Sequence, residues 1–129
     1  MEISGLYIYI DGSDLEGVSE PVESAIRDWL KSKDVPAKIV NVLHERTPDL
    51  SSEDYAQWDL GLNLEMGQIG CLSELLVYIH KLAVKHERDF VIGYYSEATG
   101  ISEDISFFGA ESGEPKTQEI AEFIGIENC

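Results

Sequence analysis

Basic residues are scarce in this chain. Nine Lys and Arg stand against 25 Asp and Glu, a formal net charge of −16 over 129 residues. That shortage argues against nucleic-acid binding, which depends on cations meeting phosphate, and against attachment to anionic membrane surfaces. Cysteine is scarcer still, with only Cys71 and Cys129. Cys129 stands last, where chains fray, so the expectation is no structural disulfide and a reducing, cytoplasmic setting. No apolar run approaches the ~20 residues that a membrane helix needs. Residues 1–10 lack the basic stretch of a secretory signal.

Chemistry-bearing motifs are missing as well. His80 and His86 are six positions apart and do not share the helix face that a spacing of four would give. Asp11, Asp14, Glu16 and Glu20 crowd one turn, but Leu15 and Glu16 fill places where a calcium loop needs an oxygen ligand and a glycine. A helix start explains that cluster. The turn Gly67-Gln68-Ile69-Gly70-Cys71 lacks the Gly-Lys-Ser/Thr ending of a phosphate loop, and no Lys or Arg lies between Arg46 and Lys81. A nucleophilic Cys71 would need a histidine beside it, with His44 and His80 as the candidates. Tight packing of strand against helix accounts for Gly67 and Gly70 more simply. Lys81, Lys85, His86 and Arg88 complement the negative end of a helix dipole. No catalytic residue, metal or cofactor is therefore expected.

What the chain does have is clear periodicity, centred on Trp58 to Tyr95. Trp58, Leu60, Leu62 and Leu64 alternate with Asp59, Gly61, Asn63 and Glu65, which predicts a strand with one apolar face. Leu72, Leu75, Leu76, Ile79, Leu82 and Ala83 recur at helical spacing, and Phe90 to Tyr95 forms another strand. Upstream, Leu6, Ile8 and Ile10 alternate with Tyr7 and Tyr9, a strand whose two faces could both be covered. Ser19 begins a helix that carries Val22, Ala25, Ile26, Trp29 and Leu30 and stops before Pro36. Ala37 to Leu43 is a strand and Glu45 to Ala56 a long loop. Ile105, Phe107 and Phe108 suggest a short fifth strand, and Ile120, Phe123 and Ile124 a last helix ended at Gly125.

The order fits a single α/β domain spanning residues 1–129. The polar side of the Trp58 strand puts the helices on one sheet face. That yields a two-layer α/β sandwich with a ferredoxin-like βαββαβ core, an extra edge strand paired to the Phe90 strand, and a C-terminal helix. A three-layer doubly wound sheet is the alternative. Leu6, Ile8, Ile10, Val22, Ile26, Trp29, Leu30, Leu60, Leu62, Leu75, Leu76, Ile79 and Ile92 are the expected core.

The acids are unevenly spread. From Asp89 to Glu127 there are nine, against the single base Lys116, interleaved with Tyr94, Tyr95, Phe107 and Phe108. Aromatics anchor protein interfaces and acids steer basic partners toward them. The expected partner surface is Glu97, Glu103, Asp104, Glu111 and Glu114, with Tyr95 and Phe108 as anchors. The loop with Glu45, Asp49, Glu53 and Asp54 is a second candidate.

In size, charge and layout the chain resembles the small acidic immunity proteins of bacteria, including those of contact-dependent growth inhibition. The segment GYYSEATGISEDISFFGAESGEP, Gly93 to Pro115, looks like the strand-turn-strand region such proteins carry. The resemblance implies a non-enzymatic binding protein that neutralises a cognate toxin, expected to be a basic nuclease whose phosphate site the carboxylates would mimic. The competing expectation is a ferredoxin-like regulatory module holding a small molecule near Gly67 to Cys71.

Overall fold

The computed structural model describes residues 3–11, 15, 17–43 and 58–126. The elements are β1 (Gly5–Ile10), α1 (Ser19–Ser32), β2 (Lys38–Leu43), β3 (Trp58–Glu65), a 3-10 turn (Met66–Gln68), α2 (Leu72–Lys85), β4 (Asp89–Ser96), β5 (Ile101–Gly109) and α3 (Thr117–Ile124). Asp14, Glu16 and the acidic loop of Glu45, Asp49, Glu53 and Asp54 lie outside the described residues.

The protein is α/β, with a five-stranded sheet ordered β2-β3-β1-β4-β5. Every neighbouring pair of strands is antiparallel. β1 sits in the middle because its alternation serves two neighbours at once. Ile8 stands opposite Leu62 of β3 and Ile92 of β4, and all three are fully buried. Leu6, Ile10, Leu60, Leu64, Phe90 and Tyr94 extend that apolar face. Val22, Ile26 and Leu30 of α1, Leu72, Leu75, Leu76, Ile79 and Leu82 of α2, and Ile120 and Ile124 of α3 join the same core. The helices therefore cover one face of the sheet, as the polar side of β3 implied.

α1 and α2 run antiparallel. Lys33 pairs with Glu74 at 2.7 Å, while Tyr78 stacks on Trp29 and its hydroxyl donates to the Ala25 carbonyl at 3.0 Å. Residues rising along one helix meet residues falling along the other. Trp29, expected in the core, is half-buried and packs against its edge. Leu15 is fully buried, though the sequence reading placed it only in an acidic turn. Ser19 is the first residue of α1 rather than its cap, a position held by Val18.

β5 is longer than the short strand expected, at nine residues, and it is bulged. Ser106 pairs with Ile92 but Asp104 with Gly93, so Ile105 is the extra residue. The bulge resets the alternation along β5. Phe108 turns into the core with no exposed surface, and Phe107 turns out, 46 % exposed.

The glycines separate by role. Added side chains at Gly61, Gly93 and Gly5 would collide with Ile8, Tyr7 and Tyr95 respectively. Gly67 and Gly70 face open space, which corrects the expectation that tight strand-helix packing requires them. Gly61→Ala should therefore lower stability sharply. Gly67→Ala should be neutral or stabilise by up to ~1 kcal/mol through the unfolded chain. Leu76→Ala, at a fully buried site, should cost ~2–5 kcal/mol. Urea denaturation of the three variants beside wild type measures all three values.

Candidate functional site on the uncovered sheet face

The alternation that buries Leu6, Ile8 and Ile10 sends Tyr7 and Tyr9 to the opposite face. Register then decides their neighbours. Tyr7 stands opposite Asn63 and Gly93, Tyr9 opposite Gly61 and Val91, and Gly5 opposite Glu65 and Tyr95. Across β4, Asp104 faces Gly93 and Phe107 faces Val91. At the other side, Lys38, Val40 and Val42 of β2 face Asn63, Gly61 and Asp59. No described helix covers this face, since α1 and α2 lie against the other side.

The tyrosine rings lie across glycines. A side chain at Gly93 would strike the Tyr7 ring, and one at Gly5 would strike the Tyr95 ring. The rings of Tyr7 and Tyr9 are stacked with centroids 5.2 Å apart. The Tyr7 hydroxyl donates to Asp104 Oδ1, and the Tyr9 hydroxyl to Asn63 Oδ1 at 2.6 Å. These bonds fix each ring from its far end.

The electrostatics follow from the same contacts. Burial raises the Tyr7 phenol well above its ordinary value, helped by its bond to Asp104 and that carboxylate's charge. Burial also raises Tyr9, against the opposing effect of its Asn63 bond. Tyr95 is raised by burial, then by the charges of Glu65 and Glu97. Arg27 pairs with Glu23 and Lys33 with Glu74, both on the helical side. Among the described strand residues on the uncovered face, Lys38 is the one base.

The expected partner surface is thus split. Tyr95 and Asp104 belong to the uncovered face, and Glu97 lies in the turn beside it. Glu103 points the other way, accepting from the Tyr94 hydroxyl at 2.9 Å. Phe108 is fully buried and stacked on Phe90, so it cannot serve as a surface anchor in the folded chain. Glu111 and Glu114 are exposed beyond the opposite end of β5. The sequence reading missed Tyr7, Tyr9, Asn63, Glu65 and Phe107. The signal was the Tyr-x-Tyr alternation of β1 together with glycines on both strands that flank it.

Cys71 is disulfide-bonded, which corrects the expectation of no structural disulfide and blocks thiol chemistry there while the bond holds. The other cysteine of the sequence, Cys129, lies outside the described residues. Cys71 also caps α2, its sulfur accepting from the Glu74 amide at 3.4 Å. Among the described residues, no group of three or more His, Cys, Asp and Glu side chains could hold a metal ion. No described helix is long and apolar enough to cross a membrane. A shallow groove of about 280 Å³ lies between β5 and α3, lined by Ile105, Ser106, Lys116, Glu119, Ile120 and Phe123.

No family model, curated protein or solved structure matches the chain.

Two titrations check these contacts. A phenol whose value is raised by folding stabilises the fold below its unfolded value of about 10, and that contribution is lost as pH climbs toward the folded value. Alkaline absorbance titration should show a late-ionising tyrosine that Tyr7→Phe deletes and Asp104→Asn moves down. Asp89 works in the opposite sense. Burial alone would raise its carboxyl, but Ser112 Oγ at 2.7 Å and the Glu111 and Ser112 amides hold it below its ordinary value. It should stabilise the fold above about pH 3.9, with the contribution lost as pH falls through the folded value. Asp89→Asn should lower the melting temperature at neutral pH, and its gap to wild type should close in acid. A thiol count on protein kept from reductants checks the Cys71 bond: no reactive Cys71 is expected.

Proposed function

We propose that this chain is a binding protein of the immunity type, which neutralises a basic toxin domain by docking on it through the uncovered sheet face. One observation carries the reading. Tyr7, Tyr9, Tyr95 and Phe107 stand together on a face that no described helix covers, among Glu65 and Asp104 and with Lys38 as the one described strand base. Tyrosine and phenylalanine are enriched at protein interfaces, and uncompensated acid selects a basic partner. The net charge of −16 acts in the same direction at longer range.

A ferredoxin-like core belongs to the same proposal. The order β2-β3-β1-β4, with α1 joining β1 to β2 and α2 joining β3 to β4, supports it, and β5 is the added edge strand. The proposed surface keeps Tyr95, Glu97 and Asp104 from the acidic tract and leaves out Phe108, Glu111 and Glu114. The compartment turns on the Cys71 bond, because disulfides persist in oxidising surroundings and a cytoplasmic site of action requires a reduced thiol.

The test is to look beside this chain's gene for a reading frame with a toxin domain and to co-express the two; the lack of such a neighbour would count against the reading. Growth should be protected, and Glu97→Lys combined with Glu65→Lys should weaken protection without unfolding the chain. Association of the purified pair should reach ~10⁸–10⁹ M⁻¹s⁻¹ at low salt and slow as salt rises. Loss of growth with the chain well expressed would sink the reading. A salt-independent on-rate would remove its electrostatic part.

A further inference from the structure

We infer that the uncovered face is built for arginine, and that the group it takes from its partner is a guanidinium stacked on the Tyr7 and Tyr95 rings with its N–H fork on Asp104. This rests on the basic-partner reading and names the chemistry by which that partner is held.

The floor comes first. The Tyr7 ring lies over Gly93 and the Tyr95 ring over Gly5, where any side chain would strike them. Each ring lies across glycine backbone and stays partly exposed on the side where no described helix lies, with Tyr9 stacked beside Tyr7. A ring offered in this way presents its negative π face to a cation within about 6 Å of its centroid.

The orientation of the phenol matters as much as the ring. Tyr7 spends its hydroxyl proton on Asp104 Oδ1, while Oδ2 accepts nothing from the described residues. The Asp104 side chain is exposed at the rim of the floor. The site therefore offers a flat aromatic surface with a carboxylate oxygen at its edge, and Glu65 and Glu97 lie near Tyr95 on the other side. An ammonium would use the charge but not the plane. A guanidinium is planar, stacks on aromatic rings and donates in a fixed fork, so it uses both.

The site is also set before binding. The Tyr7 bond to Asp104, and the stacking of Tyr7 on Tyr9, hold the floor in place in the free chain. Little side-chain freedom is left to lose when a cation arrives.

The experiment uses the whole isotope-labelled chain and two probes, N-acetyl-arginine methylamide and its lysine counterpart, at one ionic strength. The arginine probe should shift the amide signals of Gly5, Gly93 and Asp104, and bind about two- to tenfold more tightly than the lysine probe, the ratio expected of one additional hydrogen bond from the planar fork. Tyr7→Leu should abolish that preference. Asp104→Asn, which keeps the shape of the rim, should weaken arginine more than lysine, and unchanged signal dispersion checks that each variant is folded. Equal binding of the two probes, shifts confined to the helical side, or no shifts would overturn the inference. Protection from the toxin without arginine preference removes this inference alone. Arginine preference without protection removes the toxin reading and leaves this inference standing.

Discussion

The structure depends on the register of β1. With β3 on one side and β4 on the other, its six residues set which way every central side chain points. Leu6, Ile8 and Ile10 meet the helices at the centre of an apolar face that Leu60, Leu62 and Leu64 of β3 and Phe90 and Ile92 of β4 continue on either side. A slip of one residue would send these three into water and draw Tyr7 and Tyr9 inward. The aromatic face is thus the other half of the hydrophobic core: burying three aliphatic side chains obliges two tyrosines to stand on the far side.

Glycine makes those tyrosines usable. A tyrosine on an open sheet face ordinarily stands up from the pleat and samples several rotamers. Here Gly93 and Gly5 leave room for rings to lie down across the neighbouring strand. The hydroxyls then reach two strands over or across a pair, to Asp104 and Asn63. β1, β3, β4 and β5 are tied together on the uncovered side by these side chains, in addition to the ladder of backbone bonds.

Much of this was legible from periodicity. The strands β1 and β3 and the helices α1 and α2 announce themselves because a two-residue or 3.6-residue repeat reports burial directly, and β4 stands out as a short run apolar on both sides. The acidic character of the surface needed only a count. Pairing was less accessible, since period-two alternation says that β1 has two faces but not which strands flank it. Without that, Tyr7 could not be matched to Gly93 or Asp104. Phe108 was misread for a related reason. The bulge at Ile105 shifts the alternation by one, and a strand read without it puts the wrong phenylalanine outside. Gly67 and Gly70 looked structural by composition, yet their surroundings are open. Cys71 was expected to be free because the other cysteine stands last in the chain, where ends fray, and that tendency does not decide a particular bond.

The bulge bears on how the molecule behaves at high concentration. β5 is an edge strand, with Ile101 44 % exposed and Phe107 46 % exposed, so it offers both unpaired backbone and apolar side chains to any passing copy. A straight edge of that length is a template for endless strand addition. The extra residue kinks it near the middle, so an incoming strand can follow the ladder on one side of Ile105 and then loses step. The same irregularity that hides Phe108 thereby acts as a guard against fibre growth, along the one boundary of the sheet where a sticky phenylalanine faces outward.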